Sequence, residues 1–170
     1  MNFKSSVLDV PDFPLAGVAY KDITPLFNDA AAFARAIDAM AEPVLSLQPT
    51  HVLGLESRGF IFGSALALKL GLGFVPARRP GKLPRPSFAE AYASACGPGG
   101  LEIHQDAFHP GDRVLIVDDI LATGATALAA RHIVERTGAH PVALTLFIEM
   151  VAMAGRGKLT GMPVFSVLRY

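Results

Sequence analysis

Residues 114–126 read VLIVDDILATGAT, and the reading of this stretch decides the fold. Four apolar residues run into two adjacent carboxylates, then into a turn of small residues and hydroxyls. The run Val114–Val117 predicts a buried strand that ends at Asp118 and Asp119. The following ATALAARHIVERTG predicts a helix stopped by Gly138. Like charges side by side repel, so folding alone gives little reason to keep both acids. Something outside the chain is expected to need them.

Outward from this unit the same alternation repeats. HVLGLE (51–56) predicts a short buried strand, and SRGFIFGSALALKLG a turn and helix ending at Gly71, a left-handed cap. LGFVPA, VALTLFIE and PVFSVL predict three further strands. Upstream, Asn28 or Asp29 caps a helix whose Phe33, Ile37, Met40 and Val44 share a face, with a kink or stop at Pro43. Strands alternating with helices predict an α/β fold: a mainly parallel sheet with right-handed crossovers, flanked by helices. Ligands of such sheets gather beyond the carboxyl ends of the strands. Glu56, Arg78, the Asp118–Asp119 pair and Glu149 all fall at such ends.

Composition narrows the function classes. The 170 residues suit one compact domain, and 51% hydrophobic against 18% charged residues predicts a packed core, not a disordered chain. Lys plus Arg and Asp plus Glu both total 15, so no net charge favours nucleic acid or an anionic membrane. Any anion recognition must be local. The single cysteine, Cys96, excludes an internal disulfide and fits a reducing cytosol. The N-terminal MNFKSSVLDVPDF lacks the apolar core of a signal peptide. Residues 59–77 are largely apolar, but Gly63, Gly71 and Gly73 break this candidate membrane span, and Pro76 and Arg78 close it. A helix of about 12 residues followed by a strand is expected, and so a soluble protein. From Arg78 to Gly100 the text turns to Pro, Gly and Ser among charges, read as irregular.

The turn after the strand has its own chemistry. Backbone amides of Ala122–Thr126 and a helix N-terminus form an anion cradle, to which Thr123 and Thr126 add hydroxyls. Phosphate suits this geometry. The upstream carboxylates would repel it, so they face another part of the ligand, and adjacent acceptors suit the vicinal hydroxyls of a ribose. A ribose 5-phosphate satisfies both halves. A P-loop is excluded because GRGKLT (155–160) lacks the spacing, and a dinucleotide fingerprint because GLGFVP (71–76) ends in proline. A phosphoacceptor pocket also uses paired carboxylates, but normally on the strand that opens the domain.

VLIVDDILATGAT resembles the phosphoribosyl-pyrophosphate (PRPP) binding signature of the type I phosphoribosyltransferases. FPLAGVAYKDITPLF, GLESRGFIFG, FVPARRPGKLP and LEIHQDAFHPGDRVLIVDD resemble the adenine phosphoribosyltransferase family, in its order and spacing, over nearly the entire chain. The resemblance implies a single domain over 1–170, with a hood and base-recognition segment at 1–27 and a flexible lid at 83–100. It implies transfer of the 5-phosphoribosyl group from PRPP to N9 of adenine, giving AMP and pyrophosphate for purine salvage, in a cytoplasmic homodimer. Asp118 and Asp119 are expected to hold the ribose hydroxyls, and Ala122, Thr123, Gly124, Ala125 and Thr126 the 5-phosphate. Ser57, Arg58, Arg78, Arg79 and Lys82 are expected at pyrophosphate, with a cis peptide at Glu56–Ser57. Ala19, Lys21 and Ile120 are expected at adenine. Mg²⁺ is expected on substrate oxygens and water, without a dedicated protein cage. Arg58 and Glu90 are the catalytic candidates.

Two departures from the family pattern matter. Its phosphate loop usually reads ATGGT, and Ala125 here replaces the second Gly, at a cost of about 1 kcal/mol only if that position needs positive φ. Its lid commonly carries Y-x-L-E-Y-G, and this chain reads YASACG from Tyr92 to Gly97, with Ala95 and Cys96 in place of a Glu and an aromatic. Two alternatives stay open beside the main reading. One is a phosphoribosyltransferase for another purine, and the other a PRPP- or AMP-binding regulatory module without turnover.

Overall fold

A computed structural model describes residues 3–13, 16–17, 19–94 and 97–170. The chain forms two compact units, Met1–Ala39 and Met40–Tyr170. In the first, β1 (Leu8–Val10) pairs antiparallel with β2 (Tyr20–Asp22). The Asp22 carboxylate accepts the Thr24 amide at 2.9 Å and starts the short helix α1 (Thr24–Asn28). Asp29, not Asn28, caps α2 (Ala30–Ala41), accepting the Ala32 amide at 2.9 Å. At Pro43 the α-helix gives way to a 3-10 turn over Glu42–Leu47, as the missing amide requires.

The second unit is built on a five-stranded parallel sheet. Its strands are β3 (His51–Leu55), β4 (Gly73–Ala77), β7 (Arg113–Leu121), β8 (His140–Glu149) and β9 (Val164–Arg169), in spatial order β4-β3-β7-β8-β9. Helix α3 (Gly59–Leu70) packs on β3, β4 and β7, and α4 (Ala125–Arg136) on β7 and β8. Eight consecutive residues of β8, Val142–Glu149, are buried, as expected of a parallel strand covered on both faces. The buried hydroxyl of Thr145 in that run donates to the Met40 carbonyl at 3.2 Å. Chain order reverses between β3 and β7, which places the ligand crevice of the sheet beyond the ends of those two strands.

Two expectations are corrected. The apolar strand does not stop at Asp118: β7 continues through both acids to Leu121, and Met150 donates to the Leu121 carbonyl at 2.9 Å. Both acids therefore lie within the strand and not beyond its end, and the charge of Asp119 still acts on Asp118. The stretch read as irregular is from Ser87 onward a two-stranded antiparallel ribbon, β5 (Ser87–Ser94) with β6 (Gly97–His104). Its pattern was hidden because β6 carries glycines where a partner ring needs the room. Tyr92 sits opposite Gly99, where a Cβ would come 2.7 Å from the ring. Gly63 lies within α3, as the predicted helix places it. It lets α3 approach β3, since a Cβ there would lie 2.9 Å from the Phe74 ring and 3.2 Å from the Gly54 Cα.

Gly63→Ala is expected to destabilise the fold by about 1–3 kcal/mol through overpacking. Thermal unfolding checks this as a Tm lower by several degrees, whereas an unchanged Tm contradicts the close approach.

Candidate active site

Three segments of the second unit converge at the crevice. The first follows β3. A cis peptide joins Glu56 to Ser57, as the family resemblance implies, and Arg58 stands at the N-terminus of α3. Arg58 Nε lies 2.7 Å from Asp119 Oδ2, without the alignment of a hydrogen bond. Asp119 is 6% exposed, so this ion pair joins the turn after β3 to a nearly buried acid of β7. Asp118 Oδ1 accepts the Asp119 amide at 2.9 Å and sits against Gly59, where a Cβ would come 3.0 Å from it. Burial, reinforced by the Asp119 charge, pushes the Asp118 carboxyl well above the usual carboxylate range.

The second segment follows β4. Arg78 Nε donates to Glu56 Oε2 at 2.9 Å, and the Arg79 amide donates to the same oxygen at 2.8 Å. Burial raises the Glu56 pKa, but the Arg79 amide and the Arg78 guanidinium outweigh it and hold Glu56 below its ordinary value. Glu56 thus fixes the start of the basic RRPGK stretch beside the Ser57–Arg58 turn. Arg78 also bridges to β6, exchanging backbone hydrogen bonds with Glu102 at 2.9 and 2.7 Å. Arg79 and Lys82 are exposed.

The third segment is the loop from β7 to α4. Asp118, Ile120 and Ala122 through Thr126 line one concave pocket of about 200 Å³, together with Met153. Gly124, with φ of +76°, turns the chain into α4, and Ala125 is its first helical residue, outside the positive-φ region. The alanine departure therefore carries no backbone penalty. Leu128 bonds back to the Gly124 carbonyl at 2.9 Å, so the amides preceding it point out of the helix end.

Behind this loop lies a part that sequence reasoning missed. GRGKLT entered it only as a failed P-loop, yet Gly155 is packed against the loop backbone. A Cβ on Gly155 would stand 2.1 Å from the Ala122 carbonyl oxygen and 2.7 Å from the Gly124 nitrogen. Arg156 then forks onto Glu149, Nε to Oε1 at 2.9 Å and Nη2 to Oε2 at 2.5 Å, while Ser166 Oγ donates to Oε2 at 2.8 Å. The Arg156 hydrogen bonds, opposed by burial and aided by Ser166, draw Glu149 from 4.5 down to about 2. The available signal was an acid closing an apolar strand, which needs a cation close in the chain.

Other expected residues have partners of their own. Glu90 is engaged by α4: Oε1 is 3.1 Å from His132 Nδ1 and Oε2 is 3.8 Å from Arg136 Nη1. Arg136 also donates to the Ala89 carbonyl at 2.7 Å, so Glu90 helps tie the ribbon to α4. Ala19 and Lys21 belong to the first unit, where Lys21 pairs with Asp9. The lid positions Ala95 and Cys96 lie outside the described residues. Among the described residues, no group of three or more His, Cys, Asp or Glu side chains is placed to hold a metal ion. None of the described helices is long and apolar enough to cross a membrane.

Because Glu149 titrates lower folded than unfolded, its stabilisation is complete above about pH 4.5 and declines as pH falls toward 2. In acid unfolding, wild type is expected to exceed Glu149→Gln in stability near neutrality, with the gap closing across that window. A gap that stays constant from pH 7 to 2 contradicts the pairing.

The phosphoribosyl transferase domain family matches residues 20–167. The chain is 52% identical over 170 residues to the adenine phosphoribosyltransferase of Carboxydothermus hydrogenoformans, covering 100% of both chains. Its fold is similar to the crystal structure of adenine phosphoribosyltransferase from Rhodothermus marinus, with a TM-score of 0.94 at 45% identity, covering 99% of this chain and 96% of that one. It is also similar to the Saccharomyces cerevisiae enzyme complexed with adenine and an imino-altritol bisphosphate, with a TM-score of 0.91 at 39% identity, covering 98% and 96%.

Proposed function

The chain belongs to the adenine phosphoribosyltransferase family, and from that premise we infer that it transfers the 5-phosphoribosyl group of PRPP to N9 of adenine, releasing pyrophosphate and forming AMP. The observation that carries the reading is the convergence, at one crevice, of Arg58, the Asp118–Asp119 pair and the Ala122–Thr126 loop. The 5-phosphate takes the amides and hydroxyls of the loop and the end of α4. Its ribose hydroxyls meet Asp118 and Asp119. Pyrophosphate lies toward Ser57 and Arg58, with Arg78, Arg79 and Lys82 supplying further positive charge. Ile120 packs against the purine, and Ala19 and Lys21 contribute main-chain recognition.

The chemistry follows from charge. The bond from C1 of ribose to pyrophosphate breaks with its electron pair leaving on pyrophosphate, and the N9 lone pair of adenine forms the new bond. Positive charge develops on the ribose and negative charge on the leaving group, so the chain's task is electrostatic stabilisation and orientation. Arg58 is the catalytic residue of this reading. Its guanidinium sits beside Asp119 and supplies positive charge to the diphosphate. Ribose and diphosphate oxygens with water would form the hard donor set that suits Mg²⁺, without a dedicated protein cage. Bound there, the ion would supply charge neutralisation for the pyrophosphate leaving group.

The same reading assigns a homodimer in a reducing cytoplasm, with a part in purine salvage. The single cysteine is compatible with that compartment. Ile61 and Leu68, 41% and 86% exposed on α3, are apolar side chains that a second copy would cover.

One assay tests the function. With Mg²⁺ and PRPP, the chain is expected to form AMP and pyrophosphate from adenine, and no nucleotide from hypoxanthine, guanine or a base-free mixture. IMP or GMP would mean a different base, and PRPP binding without product would mean a regulatory module. Asp119→Asn is expected to lower kcat/KM for PRPP by at least about 100-fold, the scale of a lost charged contact. Glu90→Gln, which alters only ribbon anchoring, is expected to change it less than about threefold. Equal small effects would remove Asp119 from the ribose site.

A further inference from the structure

Resting on the assignment of Ala122–Thr126 to the 5-phosphate, we propose that Arg156 is a positioning residue for PRPP. Anchored on Glu149, it seats Gly155 against the phosphate loop and so fixes the direction of the loop amides.

The Val151–Leu159 segment consists of two short 3-10 turns, in which only Gly155 and Leu159 are buried. Ala154 enters the second turn with φ of +53°, and Gly155 then meets the loop backbone at distances that exclude any side chain. The exclusion is reciprocal, since a Cβ on Gly124 would stand 2.4 Å from the Gly155 carbonyl oxygen. The two backbones therefore define each other, and a shift of one moves the other.

Arg156 supplies the fixed point. Three of its nitrogens donate: two form a fork onto the Glu149 carboxylate, and Nη1 bonds the Val164 carbonyl at 2.6 Å. Such planar two-point pairing fixes orientation as well as distance. Glu149 closes β8 directly opposite Leu121, the last residue of β7, so the anchor lies one register position from the start of the loop. Arg169 Nε, 3.3 Å from Oε2, completes the surroundings of the acid. At the far end of the segment Arg131 of α4 donates to the Thr160 carbonyl at 2.8 Å, so the helix that presents the cradle is tied to the same support. Neither Arg156 nor Glu149 lines the pocket, and their effect on the ligand passes through backbone.

The test uses the full chain with Arg156→Ala and Arg156→Lys. It follows KM for PRPP and for adenine, direct binding of ribose 5-phosphate and of pyrophosphate, and Tm. Arg156→Ala is expected to raise KM for PRPP and weaken ribose 5-phosphate binding by about tenfold or more, the scale set by misplaced contacts. Pyrophosphate binding and KM for adenine are expected to stay within about twofold, and Arg156→Lys to fall between wild type and Arg156→Ala. A lower Tm with unchanged ribose 5-phosphate binding and KM for PRPP overturns the proposal and leaves Arg156 a stabilising residue only. Should Arg156→Ala not fold, Arg156→Lys and Glu149→Gln decide it alone: wild-type ribose 5-phosphate affinity in both overturns it. A wild-type chain that binds no ribose 5-phosphate instead overturns the underlying site assignment.

Discussion

Two glycines set the shape on which the rest of the crevice depends. Gly124 bends the chain from β7 into α4 in a conformation that side chains resist, and Gly155 fills the space behind that bend with bare backbone. A methyl group at either position meets backbone atoms, which cannot swing aside as a side-chain tip can. The loop is thereby given one path, and its amides are aimed before any ligand arrives. Preorganised donors of this kind need no reorganisation when they receive an anion.

Around that support the charges are kept in pairs. Arg58 with Asp119, Arg78 with Glu56, and Arg156 with Glu149 each join a strand end to an adjoining segment. The pairs differ in depth and therefore in use. Glu149 is almost fully buried and multiply bonded, so breaking its pair would strand a buried charge. Arg58 is nearly one-third exposed, and its contact with Asp119 lacks hydrogen-bond alignment. The second arrangement is suited to meeting a ligand's charge, the first to permanence. Charge balance over the whole chain thus coexists with a local anion site.

Much of this was legible from residue patterns, and the failures have physical causes. Apolar runs marked all five parallel strands because strands buried on both faces carry little else. The ribbon escaped notice because Gly99 yields its side-chain space to Tyr92, which leaves half of the alternation blank. Asp118 and Asp119 stood out as an electrostatic conflict, but sequence could not show that Arg58 meets one of them. Gly155 and Arg156 were invisible as a support for a loop some 30 positions earlier, because their role arises from the sheet register that brings Glu149 beside Leu121. The contacts of the Glu90 carboxylate with His132 and Arg136 of α4 carried no mark in the residue pattern.

The most direct test of the account is a crystal structure of the chain with PRPP and Mg²⁺. It is expected to show the 5-phosphate within hydrogen-bond distance of the Ala122–Thr126 amides, the ribose hydroxyls on Asp118 and Asp119, and Arg58 beside the diphosphate. PRPP seated elsewhere, with the loop empty of phosphate, would contradict it.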